Sequence, residues 1–309
     1  MSNPTLFAML PPFYHQPPCG DVSWYLRRIQ EECPIQIEKY RYLKSAFDND
    51  VFLINDEFVF RFPRTERVRN HLRHEIEFLN FLKSRVKTCI PTYSYVSKDD
   101  DFAGYKIIPG KTLTAAAFRR LNKPSKERVV DQLVGFINDF HRIALGDFEK
   151  FKPRKREAFI DEEKKVEVEL STKLFPRLSR AEVQAIENFY SESKVYLRSI
   201  PTLCATHGDF YAYNVLWNRD KSEIGVIDFS DILIGDPAKD FEVFYDYGSA
   251  YAQAAYSKYV GPKDADFLRR AEIYYKVHSI YTLLSSLLGA RVSFGYAYRR
   301  FRQKFELLS

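Results

Sequence analysis

Short strand patterns and one helical pattern follow each other over residues 35–108, and helical patterns fill most of the chain after Lys111. Short apolar runs bounded by turn residues are typical of strands, whereas apolar residues spaced three and four apart are typical of helices. The predicted elements are strands at 35–37, 51–54 and 58–62, a helix at 68–86 and a strand at 105–108. This order predicts a small antiparallel sheet with one helix packed against it.

The later part of the chain is predicted to be a larger, mostly helical lobe. Its most regular apolar stripe has helical spacing and consists of Val129, Leu133, Phe136, Ile137 and Phe140. Further predicted elements are helices at 181–199 and 267–288 and short strands at 202–205, 215–217 and 225–227. The predicted fold class is therefore α+β, with two lobes that divide near residue 110.

Two segments lie outside this regular pattern. Residues 1–22 contain five prolines and are predicted to form an extended arm. Residues 149–169 are dense in charges of both signs and are interpreted as a charged linker or insertion.

Composition and charge argue against several classes of protein. The net charge of +6 is too diffuse to indicate nucleic-acid binding. No apolar stretch approaches the ~18 residues of a membrane helix, and no basic residue precedes the apolar N-terminal patch as in a signal peptide. The four cysteines show no Cys-x-x-Cys spacing, which favours reduced thiols and a cytoplasmic location.

Residues 207–241 carry the chemically informative pattern. Asp209 and Asn214 lie five positions apart on a predicted loop, and Asp228 directly follows the short apolar strand at 225–227. Phosphoryl transfer needs a carboxylate that orients the attacking hydroxyl and oxygen ligands that hold Mg²⁺. Each residue alone would be an ordinary turn residue, but their order and spacing together predict a Mg²⁺-dependent phosphotransferase.

Three complete sequence blocks support a resemblance to a known family. They are His207–Asn214 (H-G-D-x-x-x-x-N), Ile227–Asp231 (I-D-F-x-D) and Gly235–Asp240 (G-D-P-x-x-D). The chain resembles the aminoglycoside phosphotransferase family of the protein-kinase-like superfamily over about residues 35–290. It is most similar to the branch that acts on the 2″-hydroxyl, through Val59–Pro63 and the helix around Glu75.

The resemblance implies a two-lobed kinase fold with ATP or GTP in the cleft. Residues 23–110 would form the nucleotide-binding lobe, and residues 111–309 the catalytic and acceptor-binding lobe. By the same resemblance Asp209 is the catalytic base, and Asn214 and Asp228 bind Mg²⁺. The resemblance also implies that Glu75 is the helix carboxylate that pairs with a strand cation. His207, Asp236 and Asp240 are implied to have architectural roles.

Two features depart from the family pattern. The strand cation that grips the nucleotide phosphates is usually Lys, whereas the matching residue here is Arg61, which can still bind phosphate and pair with Glu75. The loop expected to cover the phosphates, residues 44–50, contains Ser45 as a candidate contact and no glycine. Backbone N–H groups can cradle a phosphate without glycine.

The acceptor is less well defined. Residues 241–309 contain ten Lys or Arg and six Asp or Glu, although a polycationic aminoglycoside needs local carboxylates. Candidate substrate-binding acids are Glu242, Asp246 and Glu272. The acidic run Asp161–Glu163 is another candidate to line the acceptor site. Three hypotheses follow: an aminoglycoside phosphotransferase, a kinase of the same fold for a macrolide, choline-like alcohol or sugar, and a catalytically silent nucleotide-binding protein.

The predicted strand at 105–108 supplies a test of nucleotide choice. Tyr105, Lys106 and Ile108 are expected to offer backbone groups to the purine, and the Tyr105 ring would narrow the adenine slot. We therefore expect GTP to be used at least as well as ATP. Measurement of kcat/KM for both nucleotides with one common acceptor checks this, and a clearly higher value for ATP would contradict it.

Overall fold

The computed structural model describes residues 21–43, 49–155, 166–198, 200–290 and 292–307. Its N-terminal part contains a five-stranded antiparallel sheet in the order β1-β2-β3-β5-β4. The strands are β1 (Tyr40–Tyr42), β2 (Asn49–Ile54), β3 (Phe58–Pro63), β4 (Tyr93–Val96) and β5 (Ala103–Lys106). The helices of this part are α1 (Val22–Glu32) and α2 (Glu66–Leu82).

The hairpin between β2 and β3 forms because its turn residues tolerate left-handed backbone. Asn55 and Asp56 have φ angles of 54° and 53°, as a tight hairpin turn with two positive φ values requires. One side of the sheet buries an aromatic cluster with α1, consisting mainly of Tyr25, Ile29, Phe52, Phe60, Phe62 and Phe102. Thr65 is the N-cap of helix α2, and its hydroxyl accepts a hydrogen bond from Val68 N at 3.3 Å.

Strands β1 and β4 differ from the sequence prediction. Residues 35–37 do not form a strand, because the Asn55 side chain binds the backbone of residues 36–39. Its oxygen accepts hydrogen bonds from Glu38 N and Lys39 N, and its nitrogen donates one to Gln36 O. The first strand is therefore Tyr40–Tyr42. Strand β4 was not predicted, because its alternating polar positions give no clear apolar run.

The C-terminal part contains two small sheets and most of the helices. Its strands are β6 (Lys111–Thr112), β7 (Arg154–Lys155), β8 (Cys204–Thr206), β9 (Val215–Asn218), β10 (Glu223–Val226) and β11 (Leu233–Gly235). Its helices are α3 (Ala115–Arg119), α4 (Lys123–His141), α5 (Leu145–Phe148), α6 (Arg180–Arg198), α7 (Glu242–Tyr247), α8 (Ser249–Lys258), α9 (Phe267–Leu287) and α10 (Phe294–Lys304). The sheet orders are β10-β9-β6 and β7-β11-β8.

The predicted apolar stripe is the buried face of α4. Its residues pack against Phe210 and Phe229, which belong to the segment that carries the sequence motifs. Strand β7 lies inside the segment predicted to be a charged linker and pairs in parallel with β11. Residues 156–165 of that segment, the arm at 1–20 and Ser45 lie outside the described residues.

The two parts meet just after β5. The strand ends at Lys106, and not at Ile108 as predicted; Ile107 N donates to Glu57 O at 2.7 Å, and Ile108 is buried. Gly110 then turns the chain into β6 with a φ of 133°, and a Cβ there would lie 2.8 Å from the Trp217 carbonyl carbon. Among the described residues, no helix is long and apolar enough to cross a membrane.

The junction yields a prediction about two glycines. Gly110→Ala should destabilise the protein by about 1–3 kcal/mol, because the left-handed backbone and the contact with Trp217 leave no room for a methyl group. Gly135→Ala is the matched control: it lies inside α4 with no atom within 4 Å of the place a methyl group would take, so alanine should stabilise by about 0.5–1 kcal/mol. Denaturant unfolding of both variants checks the opposite signs, and equal effects would contradict the geometry.

Candidate active site

A sharp turn after β8 positions the first motif. Thr206 at the end of β8 donates its hydroxyl to Leu233 O at 2.8 Å, which joins β8 to β11. Gly208 has a φ of 82°, and a Cβ there would lie 2.1 Å from the backbone oxygen of Asp231. Only glycine fits this close approach, so the chain can turn within one residue and present Asp209.

A buried carboxylate fixes the same turn from below. Asp240 accepts hydrogen bonds from His207 N at 2.8 Å and Gly208 N at 3.1 Å. His141 Nε2 lies 3.0 Å from the same carboxylate, and its Nδ1 lies 2.7 Å from the Tyr259 hydroxyl. Burial alone would raise the pKa of Asp240, but His141 and the backbone N–H groups hold that pKa below its ordinary value. Asp240 is therefore an anionic anchor for the loop.

Asp236, the first acid of the G-D-P block, has a different partner. Arg270 on α9 donates through Nε to Asp236 Oδ2 at 2.6 Å, and both side chains are buried. The same guanidinium binds Asp264 at 2.6 Å. Asp236 also accepts from Ala238 N at 3.0 Å and so caps the short turn at 237–241. These contacts support the architectural role expected for Asp236.

The Asp209 side chain lies against Asn214. The Asn214 amide donates to Asp209 Oδ2 at 2.9 Å and to the Asp209 backbone oxygen at 2.8 Å. Since both hydrogen bonds use the amide nitrogen, the carbonyl oxygen of Asn214 remains as an oxygen ligand. Burial, together with the charges of Asp231 and Asp228, raises the pKa of Asp209 to about 8.

Asp228 follows β10 in a strained conformation. Its φ of 67° is unusual for a residue other than glycine, and such strain is concentrated at functional sites. Ser230 Oγ donates to Asp228 Oδ1 at 2.9 Å, and the aspartate is exposed. Ile227 N donates to Asn214 O at 3.0 Å, so the Asp228 segment is tied to the loop that carries Asn214.

The N-terminal sheet contributes a buried ion pair. Arg61 on β3 donates to Glu75 Oε1 on α2 at 2.6 Å and to the Tyr93 hydroxyl at 2.8 Å. Burial raises the pKa of Glu75, and the charge of Arg61 opposes that rise. The charge of Asp228 contributes to the raised pKa values of both Arg61 and Glu75, so this pair lies near the segment of the C-terminal part that carries Asp228. Sequence reasoning missed Tyr93, because no local pattern marks it.

The predicted purine-binding residues have distinct surroundings. The Tyr105 ring lies edge-on to Tyr93 with a centroid distance of 5.1 Å. Lys106 is exposed and pairs with Glu57 at 2.9 Å, whereas Ile108 is buried. All three lie where the chain passes between the two parts, and their contact with a purine stays a prediction.

The acids expected to bind the acceptor are paired with cations of the chain. Asp246 accepts from Ala212 N at 3.3 Å, which places it beside the loop of Asp209, and it pairs with Arg300 at 3.1 Å. Glu242 is buried and pairs with Lys239 at 3.0 Å. Glu272 pairs with Lys276 at 2.7 Å and with Arg269 at 3.3 Å, both on its own helix α9. Residues 161–163 lie outside the described part of the chain.

Asn214 and Asp228 carry oxygen atoms of the kind that Mg²⁺ prefers. Within the described residues, no cluster of three or more His, Cys, Asp or Glu side chains could hold a metal. Mg²⁺ in nucleotide sites commonly uses one or two protein oxygens, with phosphates and water completing its shell. Asn214 and Asp228 supply oxygen atoms of this kind on two linked segments.

The comparisons with known proteins identify the chain as a phosphotransferase. The model of the phosphotransferase enzyme family APH matches residues 39–277, and the chain belongs to this family. The expectations of the family and of the two-lobed α+β fold are thereby confirmed.

Solved structures have the same fold at low identity. An aminoglycoside 2″-phosphotransferase of type IIIa, solved with GDP and kanamycin, is 22% identical with a TM-score of 0.80, over 93% of this chain and 99% of that chain. A type IIa enzyme solved with streptomycin and ATP is 23% identical with a TM-score of 0.64, over 87% and 90%. The macrolide 2′-phosphotransferase MphH from Brachybacterium faecium is 15% identical with a TM-score of 0.67, over 93% and 99%.

The buried Asp236–Arg270 pair generates a stability prediction. Arg270→Met should destabilise the protein by about 3–5 kcal/mol, because it leaves the buried Asp236 carboxylate without its cation. Arg269→Met is the neighbouring control and should cost at most about 1 kcal/mol, because Arg269 is partly exposed and its ion pairs are at the surface. Denaturant unfolding measures both values, and similar losses in the two variants would contradict the role of the buried pair.

Proposed function

We propose that this protein transfers the γ-phosphate of ATP or GTP to a hydroxyl group of a small molecule, with Mg²⁺ as cofactor. The observation that carries the proposal is the convergence of Asp209, Asn214 and Asp228 on two hydrogen-bonded segments opposite the Arg61–Glu75 pair. A carboxylate beside metal ligands, with a cation across the cleft, is the arrangement that phosphoryl transfer needs.

Asp209 is proposed as the catalytic residue. Asn214 holds one of its carboxylate oxygens, so the other can accept a hydrogen bond from the acceptor hydroxyl. Asp209 thereby orients the hydroxyl oxygen for in-line attack on the γ-phosphorus and takes the proton that the hydroxyl releases. As the new O–P bond forms, the bond between the γ-phosphorus and the β,γ-bridging oxygen breaks, and ADP or GDP leaves. The turn clamped by Asp240 keeps this carboxylate in place during the reaction.

Asn214, Asp228 and Arg61 are proposed to bind the nucleotide phosphates. Asn214 and Asp228 would hold Mg²⁺, which when bound supplies positive charge against the phosphate oxygens. Arg61 uses one terminal nitrogen for Glu75 and Tyr93, and its fork keeps further N–H donors for phosphate. Arginine is longer and planar, so phosphate placement should differ from that of a lysine enzyme.

The acceptor is proposed to be a small hydroxyl compound of the kind that related enzymes bind. Solved relatives include enzymes in complex with kanamycin, streptomycin or gentamicin, and macrolide phosphotransferases. An aminoglycoside is the acceptor expected from the resemblance, and a macrolide, choline-like alcohol or sugar is the alternative. The acids beside Asp209 favour the alternative, because cations of the chain already neutralise them.

The proposal predicts separate effects for two aspartates. Asp209→Asn should lower kcat by about 10²–10⁴-fold with little change in nucleotide affinity, because Asp209 acts on the acceptor hydroxyl. Asp228→Asn should weaken binding of the Mg²⁺–nucleotide complex itself, because a metal ligand is lost. Diphosphate release measures the first effect, and equilibrium binding of Mg²⁺–GDP measures the second.

Asp220→Asn is the matched control, since Asp220 lies in the exposed turn after β9. It should leave both quantities unchanged. Normal turnover by the Asp209→Asn variant would exclude Asp209 as the catalytic residue. Unchanged Mg²⁺–GDP affinity in the Asp228→Asn variant would exclude its metal role.

A further inference from the structure

The last helix of the chain places two cations beside the loop that carries Asp209. Arg300 on α10 pairs with Asp246 at 3.1 Å, and Asp246 in turn accepts a hydrogen bond from Ala212 N in that loop. Lys304, one turn further along α10, is buried and donates to Tyr275 O at 2.8 Å. The family match ends at residue 277, so α10 lies beyond the matched segment.

The carboxylates in this region are balanced by cations of the chain itself. Glu242 is 1% exposed and pairs with Lys239, and the charges of Glu242 and Asp246 both act on Lys304. Two carboxylates therefore lie among three cations. Burial lowers the pKa of Lys304 to about 7, against the opposing effect of these carboxylates. Asp209 also belongs to this region, since its charge acts on Tyr211 together with those of Glu242 and Asp246. The formal charges of carboxylates and cations therefore roughly balance, and the region is not an acidic pocket.

An acceptor with several ammonium groups is poorly suited to this site. To bind Asp246 through Oδ1, an ammonium would have to displace Arg300 from its 3.1 Å contact. The displaced Arg300 guanidinium and Lys304 would remain nearby, and their positive charges would repel the other ammonium groups of a polycationic acceptor. A neutral or singly charged acceptor would meet no such repulsion.

The exposed rim of the same region favours a polyhydroxylated ligand. Tyr213 lies between Asp209 and Asn214, and its hydroxyl is 3.0 Å from that of Tyr296 on α10. Arg300 donates to the Tyr296 hydroxyl at 3.2 Å. The two tyrosines are 49% and 39% exposed, so their rings and hydroxyls are accessible beside the catalytic loop. An aromatic ring with a polar tip can contact the apolar face of a sugar and hydrogen-bond its hydroxyls.

We propose that the acceptor is a neutral or singly charged glycoside, and that Arg300, which pairs with Asp246, and Lys304, which is buried nearby, exclude polycationic acceptors. The inference rests on the proposed function, since it concerns the acceptor of the Asp209 reaction. It assigns Arg300 and Lys304 as specificity-determining residues. It also places part of the acceptor specificity on a helix outside the matched family segment.

The first test measures binding and does not depend on turnover. Calorimetric titration of kanamycin into the Mg²⁺–GDP-loaded protein should show weak binding to the wild type. The Arg300→Gln, Lys304→Met double variant should bind kanamycin at least about tenfold more tightly, since it frees Asp246 for an ammonium, a change of ~1.4 kcal/mol. Arg299→Gln, an exposed arginine on the same helix, is the control and should not change the affinity.

The second test compares acceptors with the unaltered protein. Diphosphate release should be stimulated more by the neutral disaccharide trehalose or the singly charged macrolide erythromycin than by kanamycin. Tight kanamycin binding by the wild type, no gain in the double variant, or a higher kcat/KM for kanamycin than for both other acceptors would each overturn the inference. If the double variant does not fold, the wild-type affinity and the acceptor order decide.

The two proposals fail in different ways. Turnover of kanamycin that disappears in the Asp209→Asn variant would overturn the acceptor inference while supporting the phosphotransferase mechanism. Acceptor-stimulated turnover that is unchanged in that variant would overturn the mechanism, whereas the kanamycin affinities would still decide the question of charge exclusion.

Discussion

The position of Asp209 depends on one buried carboxylate that binds two successive backbone N–H groups. Asp240 lies 1% exposed beneath the turn and accepts from His207 N and Gly208 N. A buried anion of this kind is stable only when its hydrogen bonds are satisfied, and His141 supplies a further partner. The interaction therefore joins α4, the turn after β8 and the segment before α7. Loss of any one partner would affect the geometry of the loop that carries Asp209.

Charged side chains are stabilised in different ways on the two sides of the cleft. In the N-terminal part, Arg61 and Glu75 form one pair that Tyr93 completes, and the arginine remains a cation beside the cleft. In the C-terminal part, Asp228 is exposed and Asp246 is paired with Arg300, whereas Asp209 is held by the Asn214 amide and has a pKa raised by burial. The buried Arg61–Glu75 and Arg270–Asp236 charges are thus paired, whereas the Asp228 carboxylate stays exposed, where the proposed Mg²⁺ would bind.

Local signals in the sequence predicted the hairpin, helix α4 and the three motif blocks, because each depends on residues close together in the chain. The strand at 35–37 was wrong, since the side chain of Asn55, distant in sequence, holds that segment. Strand β7 was missed because its partner β11 follows about eighty residues later. The motifs named Asp209, Asn214 and Asp228 for the candidate site. Tyr93 and Arg300 lie outside the motifs, and no spacing relates them to Asp209. The proposed roles of the motif residues stay predictions.

The location of Arg300 and Lys304 on α10 has a consequence for the divergence of such enzymes. The residues proposed for phosphoryl transfer lie on β3, α2 and the segments around β8 and β10, all of which precede α10 by many residues. Mutations in α10 can therefore alter the electrostatic balance around Asp246 while the hydrogen bonds from His207 N and Gly208 N to Asp240 remain in place. Substitutions in this helix of eleven residues could therefore turn one ancestral phosphotransferase into enzymes with different acceptors.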